Sequence, residues 1–253
     1  MPLVEYRADL HVHTCLSPCA DWAMSPRRIV ARSRALGVDV IAVCDHNSAE
    51  NAEVVMRVGR EQGLAVLPGL EVCSREEVHL LAIFEAPEQA LRMQAAVYAR
   101  LPGANRPEVF GHQIVATADD EVLAENPRLL IGACGLGLED VVRTAHSLGG
   151  LCLAAHVDRP ANGLLQQLGF IPPGLEIDGV EVSRRMTPAQ ARARWPDLRA
   201  VPCVTSSDAH VPDDIGRACT ILRMAGPTAA ELRLALRGVA GRGIAGHSPG
   251  AGP

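Results

Sequence analysis

The stretch Asp39-Val40-Ile41-Ala42-Val43-Cys44-Asp45-His46 decides the fold class and is read first. An unbroken apolar run rich in β-branched side chains is a strand buried on both faces. It runs directly into Asp45 and His46, side-chain types that bind cations or move protons. On its N-terminal side, Ser25-Pro26 reads as a helix cap with proline in the first turn, Ile29, Val30 and Leu36 supply the apolar face, and Gly37 ends the helix. An earlier strand covers 7–13. On its C-terminal side a helix over 49–62 stops at Gly63, followed by strands over 64–72 and 78–84. Buried strands alternating with helices predict an α/β protein with a parallel sheet covered on both faces.

The middle of the chain breaks this rhythm. Residues 87–101 read as a helix, and 102–127 carry turn signals and a hairpin formed by 113–116 and 121–124 around Asp119-Asp120. The alternation resumes with a helix over 138–148, strands over 151–156, 179–183, 201–206 and 218–223, and a closing helix over 228–238. The expectation is a single domain over 1–240 with an insert at about 102–127. The Gly/Pro-rich tail 241–253 is expected to be disordered.

Composition narrows the function. Hydrophobic residues make up 48% of the 253 positions, enough for a real core, and aromatics only 3%, too few for a base-stacking surface. The net charge is −5 with no basic run, so no extended nucleic-acid surface is expected. Every basic side chain of the Lys+Arg count is arginine, which removes Schiff-base chemistry and a carbamylated lysine as a metal bridge. The 8 cysteines mostly sit in apolar runs, as Cys44 and Cys152 do, and read as small buried hydrophobes. No signal sequence and no membrane-length apolar run is read, so a reducing cytoplasm is expected, with no membrane partner.

The chemistry lies at the strand ends. Asp9-Leu10-His11-Val12-His13 opens the chain and Ser207-Asp208-Ala209-His210 stands near its end. Alternate residues of a strand share a face, so His11 and His13 aim together, as do Asp208 and His210. His46, Glu71, His79 and His156 end other strands, and Asp21 joins from the first loop. Taken singly, each has an ordinary reading: His79 and His156 as satisfied buried histidines, Asp21, Asp45 and Asp208 as caps, Glu71 as a solvated acid. Recurrence at successive strand ends shifts the reading to a metal site, and nine donors suit two or three divalent cations rather than one tetrahedral zinc.

These pieces, Asp9-Leu10-His11-Val12-His13-Thr14, Cys44-Asp45-His46-Asn47, Gly69-Leu70-Glu71-Val72, His79, Ala155-His156 and Ser207-Asp208-Ala209-His210, resemble the polymerase and histidinol phosphatase (PHP) family of metal-dependent phosphoesterases. The resemblance implies a distorted (β/α)7 TIM-like barrel with up to three metals, manganese, zinc or iron, in its mouth. It implies one site from His11, His13, Glu71 and Asp208, a second from His46, His210 and a first-loop ligand, and a third from Glu71, His79 and His156. In the first loop the chain departs from the pattern. Counting forward from His13, the family's aspartate position falls on Pro18, which cannot ligate, and the histidine position of its histidinol-phosphatase-like members on Cys19; counting back from Ser25-Pro26, the firmer anchor, gives Asp21, preferred over Cys19.

The activity implied is hydrolysis of a phosphate ester by a metal-activated hydroxide. The substrate expected is a small phosphorylated metabolite, a nucleotide or a short oligonucleotide end. Arg159 and Arg184 are the candidate phosphate-binding side chains, and Asp45 a candidate to orient ligands or move protons. The competing classes are an amidohydrolase-type C–N hydrolase and a non-catalytic metal-binding regulatory module.

Overall fold

The computed structural model describes residues 2–248. In chain order the elements are β1 (Val4–Val12), α1 (Pro26–Ala35), β2 (Val40–Val43), α2 (Ala52–Gln62), β3 (Ala65–Cys73), β4 (His79–Ile83), α3 (Pro87–Tyr98), α4 (Pro107–Phe110), β5 (Ile114–Ala116) and β6 (Val122–Glu125). There follow α5 (Leu138–Ser147), β7 (Leu151–Ala154), α6 (Leu164–Gln167), β8 (Gly179–Val182), α7 (Pro188–Arg194), β9 (Cys203–Thr205), β10 (Cys219–Met224), α8 (Ala229–Leu236) and β11 (Gly243–Ser248). One sheet takes the order β11-β10-β1-β2-β3-β4-β7-β8-β9 and curls into a nearly closed barrel, and β5 and β6 form a separate hairpin.

The sheet is mixed, which corrects the expectation of parallel strands throughout. Strands β1, β2 and β3 are parallel, as are β7, β8 and β9, but β4 runs against both β3 and β7. The cause is loop length: only residues 74–78 separate β3 from β4, and a parallel return needs a crossover of roughly a dozen residues or more. The reversal has a consequence for the site. His79 is the first residue of β4, and in a reversed strand the first residue lies at the same rim as the last residues of its parallel neighbours.

The tail departs from expectation too. Gly243–Ser248 pairs antiparallel with β10, and Arg242 clamps Glu231 of α8 at 2.6 and 2.9 Å. Gly-rich sequence lowers intrinsic strand preference, but the unpaired edge of β10 offers a ladder that satisfies the backbone. Residues 249–253 of the expected disordered tail lie outside the described residues.

Two apolar layers flank the sheet. Leu10, Ala42, Leu81, Leu153 and Val204 share the inner cluster with Leu232 and Ala235 of α8. Ile41, Leu80 and Cys152 face outward onto Ile29, Val55, Met93 and Val141 of the surrounding helices. Gly69 of β3 allows the strands to approach, because a Cβ there would lie 2.7 Å from the Ala82 carbonyl oxygen and 3.0 Å from Cys44 Sγ.

The barrel closes between β9 and β10 by side chains instead of a ladder. Thr205 N–H donates to Thr220 Oγ1 at 2.8 Å, and Thr220 Oγ1 donates to the Thr205 carbonyl at 3.0 Å. Asp9, wholly buried, accepts the Ser207 and Gly216 N–H groups, each at 2.9 Å. Burial pushes its carboxyl up to about 6 against those hydrogen bonds.

The segment 102–127 packs on the first loop. Ile114 N–H bonds the Cys15 carbonyl at 2.9 Å, the Asn51 amide ties to Ile114 and Ala116, and Asp120 accepts Arg27 N–H at 2.9 Å.

Candidate metal centre

A register shift in β1 aims the first two histidines. Ala8 and Leu10 belong to the inner layer and Val12 to the outer one, with the shift falling between Asp9 and Val12. Such a bulge turns the following side chains to the other face, so His11 and His13 point into the barrel mouth. Beyond β1 the chain bridges the closing motif: His13 N–H bonds the Ala209 carbonyl at 3.0 Å. His11-Val12-His13 and Asp208-Ala209-His210 therefore lie side by side. Asp208 and His156 hold positive φ, at 52° and 26°. Such strained backbone persists only where surrounding structure enforces it, and it concentrates at functional sites.

Glu71, at 0% exposure, is the hub. Its Oε1 lies 2.7 Å from His79 Nδ1, 3.0 Å from His156 Nε2 and 3.5 Å from His11 Nε2. Its Oε2 lies 2.9 Å from His46 Nδ1 and 3.5 Å from His13 Nε2. Asp208 Oδ1 stands 3.2 Å from His13 Nε2 and 3.5 Å from His11 Nε2. The rings of His13 and His210 stack with centroids 4.0 Å apart. Three triads have ligand atoms within 4.8 Å of one another: His11/His13/Asp208, His13/His46/His210 and His46/Glu71/His79.

Three of the histidines are anchored by the nitrogen facing away from the cluster. His11 Nδ1 donates to Glu181 Oε1 at 3.1 Å, and His210 Nδ1 donates to the Asp208 carbonyl at 2.9 Å. Ser17 gives its hydroxyl proton to Asp45 Oδ1 at 2.6 Å, so it accepts from His13 Nδ1–H at 2.8 Å. Each anchor fixes a tautomer with Nε2 bare, the usual arrangement of metal-bound histidine.

The donor set fits cations. His11 Nε2 and His13 Nε2 face each other at 3.0 Å, a contact that needs a proton or a cation between the two nitrogens. His46 Nδ1 and Glu71 Oε2 are 2.9 Å apart, yet both are buried without a hydrogen-bond partner. Burial alone would raise both carboxyls, but the imidazoles of His79, His11 and His46 hold Glu71 well below the carboxylate range, as His11 and His13 do for Asp208. Burial lowers His79 to about 4, and burial with neighbouring imidazoles lowers His13. Against their own burial, His11 is raised by Glu181, Glu71 and Asp208, and His46 to about 10 chiefly by Glu71. Ionised carboxylates among imidazoles thus draw positive charge into the cluster, the charge a divalent cation supplies.

Eight of the nine sequence-derived metal residues meet here: His11, His13, His46, Glu71, His79, His156, Asp208 and His210. Asp21 does not. Its side chain caps the turn by accepting Ala23 N–H at 2.7 Å and stands outside the cluster, exposed as Cys19 also is. Cys19 lines the cavity instead. Burial would raise its thiol, but hydrogen bonds with His210 and His46 bring it down to about 6.

Asp45 stands behind the cluster. Its oxygens are taken by Thr14 N–H, Thr14 Oγ1 and Ser17 Oγ at 2.6–2.7 Å, and it is wholly buried off the cavity, so it acts on His13 through Ser17. Arg159 and Arg184 line a cavity of about 430 Å³ above the cluster, Arg159 paired with Asp208 and Arg184 with Asp214 at 2.8 Å. Sequence reading missed Glu181, Ser17 and the cavity-lining Arg185 as functional. Glu181 alone carried a signal, an acid inside an apolar strand, Gly179–Val182.

Among the described residues no helix is long and apolar enough to cross a membrane. Residues 9–164 match the PHP domain family and 190–239 the PHP-associated family. A 5'-3' exoribonuclease of Haemophilus influenzae is 24% identical over 189 residues, 58% of this chain and 68% of its own. Endonuclease Q of Pyrococcus furiosus superposes with a TM-score of 0.72 at 18% identity, over 97% of this chain. A complex of endonuclease Q with a 27-mer duplex bearing an abasic lesion gives 0.71 at 19%. This chain spans about three fifths of those two chains, 59% and 60%. An amidohydrolase from Chromobacterium violaceum gives 0.57 at 19%, covering 83% of this chain and 89% of its own, a likeness of fold alone. The duplex held by endonuclease Q runs against the expectation that no extended nucleic-acid surface accompanies this fold. With more than half the chain matched and its histidines and acids converging at the barrel mouth, the chain belongs to the PHP-domain family and is a metal-dependent phosphoesterase.

Proposed function

We propose that the chain hydrolyses phosphate esters of nucleotides or short oligonucleotide ends. The observation that carries this reading is the placement of Arg159, Arg184 and Arg185 around the cavity directly above the histidine and carboxylate cluster. His11, His13, Glu71 and Asp208 would hold one cation, His46, His210 and Cys19 a second, and Glu71, His79 and His156 a third, with manganese, zinc or iron as the candidates. Bound there, cations lower the pKa of water to give a nucleophile near neutral pH.

The remaining work falls to the chain's own groups. The planar guanidinium forks at the mouth bind non-bridging phosphate oxygens and orient the ester toward the cluster. Arg159, paired with Asp208 here, is half-exposed and turns toward a phosphate without rearranging the barrel. Glu181 and Ser17 keep His11 and His13 in the tautomers that present Nε2. The exoribonuclease and endonuclease Q act on nucleic acids by their names, which favours a nucleotide over an unrelated phosphorylated metabolite.

The manganese-loaded protein is expected to release nitrophenol or phosphate from at least one of 4-nitrophenyl phosphate, bis(4-nitrophenyl) phosphate and adenosine 3',5'-bisphosphate. No turnover of any of them overturns the reading. The first-loop assignment has its own check in metal analysis by mass spectrometry. Cys19→Ser is expected to lose about one equivalent, since a hydroxyl is a poor replacement for a thiolate, and Asp21→Ala to lose none. The reverse pattern restores Asp21.

A further inference from the structure

A second cavity, about 450 Å³, adjoins the first, and Arg184 and Arg185 line both. Its walls come from the segment between β8 and β9 and from the end of β11, the strand unforeseen in the sequence. Met186, Pro188, Ala189 and Ala218 give it an apolar floor, and Arg185 and Arg192 supply positive charge. Among the described residues no acidic side chain lines it. Arg184 is paired with Asp214, whereas among the described residues no carboxylate pairs with Arg185 or Arg192. Arg192 is half-buried, its Nε donating to the Leu198 carbonyl at 3.4 Å and its guanidinium hydrogen-bonded to Cys203. A half-buried guanidinium, Arg192, and an exposed one, Arg185, neither paired with an acid and both beside an apolar floor, suit a group that is anionic at one end and apolar in its body.

We infer that this second cavity is a subsite for the part of the substrate beyond the hydrolysed phosphate, a nucleotide unit with its phosphate on Arg185 and Arg192 and its sugar and base on the Met186–Ala218 floor. The inference rests on the phosphoesterase reading of the first cavity and adds a length requirement to it. A substrate filling both cavities spans the two shared arginines, so small esters that reach only the first cavity are poor substrates.

Calorimetry on the metal-loaded protein tests the subsite without turnover. Adenosine 5'-(α,β-methylene)diphosphate is expected to bind at least tenfold more tightly than methylenediphosphonate, which lacks the nucleoside. Arg192→Ala is expected to erase most of that advantage and Arg192→Lys to keep part of it. Ala189→Trp, a filling change at an exposed helix position that leaves the core alone, is expected to erase it too. Equal affinity for the two probes in the unsubstituted protein, or an advantage unmoved by Arg192→Ala and Ala189→Trp, overturns the subsite. In kinetics, Ala189→Trp should lower kcat/KM for a 5'-phosphorylated dinucleotide at least tenfold more than for bis(4-nitrophenyl) phosphate, and equal losses overturn the subsite. Intact nucleotide selectivity in binding with no ester turned over strikes the proposed function and upholds the subsite.

Discussion

Asp208→Asn is expected to lose bound metal and activity together. The aspartate stands at φ 52°, where asparagine is tolerated and alanine is strained, so the amide keeps the backbone while removing the charge. It also keeps the volume between His11 and His13, whose Nε2 atoms lie 3.5 and 3.2 Å from Oδ1. A neutral amide leaves the cation of that triad short of one negative charge. The loss in kcat/KM should exceed the 10- to 100-fold typical of residues that merely support metal ligands, so about 10³-fold is expected. Metal content and kcat/KM measured on one preparation check it, and full metal occupancy in Asp208→Asn overturns the ligand assignment. Arg159→Ala provides the contrast. It should keep the metal and raise KM roughly tenfold or more, since a hydrogen bond to a charged group contributes about 1.5–3 kcal/mol.

The second large effect is on stability. Asp9→Ala orphans two buried N–H groups, those of Ser207 and Gly216, at the seam where the barrel lacks a ladder. Each orphaned group costs about 1–3 kcal/mol, so a loss of roughly 2–6 kcal/mol is expected. For a chain of this size, at about 2–4 °C per kcal/mol, that lowers Tm by roughly 4–24 °C. Thermal denaturation followed by circular dichroism checks it. A Tm within about 2 °C of the unsubstituted protein would show that the seam is held by Thr205 and Thr220 alone.

Most of the element order was legible because buried strands and capped helices are written locally. The run Asp39–Val43 needs no neighbour to declare itself, and neither does the Gly63 stop, where the chain takes φ 72°. Strand direction was not legible, because β4 reads as apolar whichever way it runs and only the length of 74–78 forbids a parallel return. The tail was misread because Gly243–Ser248 has little strand preference of its own and becomes a strand against the edge of β10. In the site, the histidines and acids at strand ends announced themselves. The first loop did not, because a count along the chain cannot tell that Asp21 caps its own turn while Cys19 hydrogen-bonds His46 and His210.

The sequence by itself determined the α/β class and eight metal-capable residues at one rim, because periodicity and strand position are local properties. Tertiary structure alone decided the bulge that turns His11 and His13 inward and the Asp9 seam. It alone also joined the two cavities through Arg184 and Arg185. Each of these depends on contacts between residues far apart in the chain, and their distance and direction exist only once the barrel has curled.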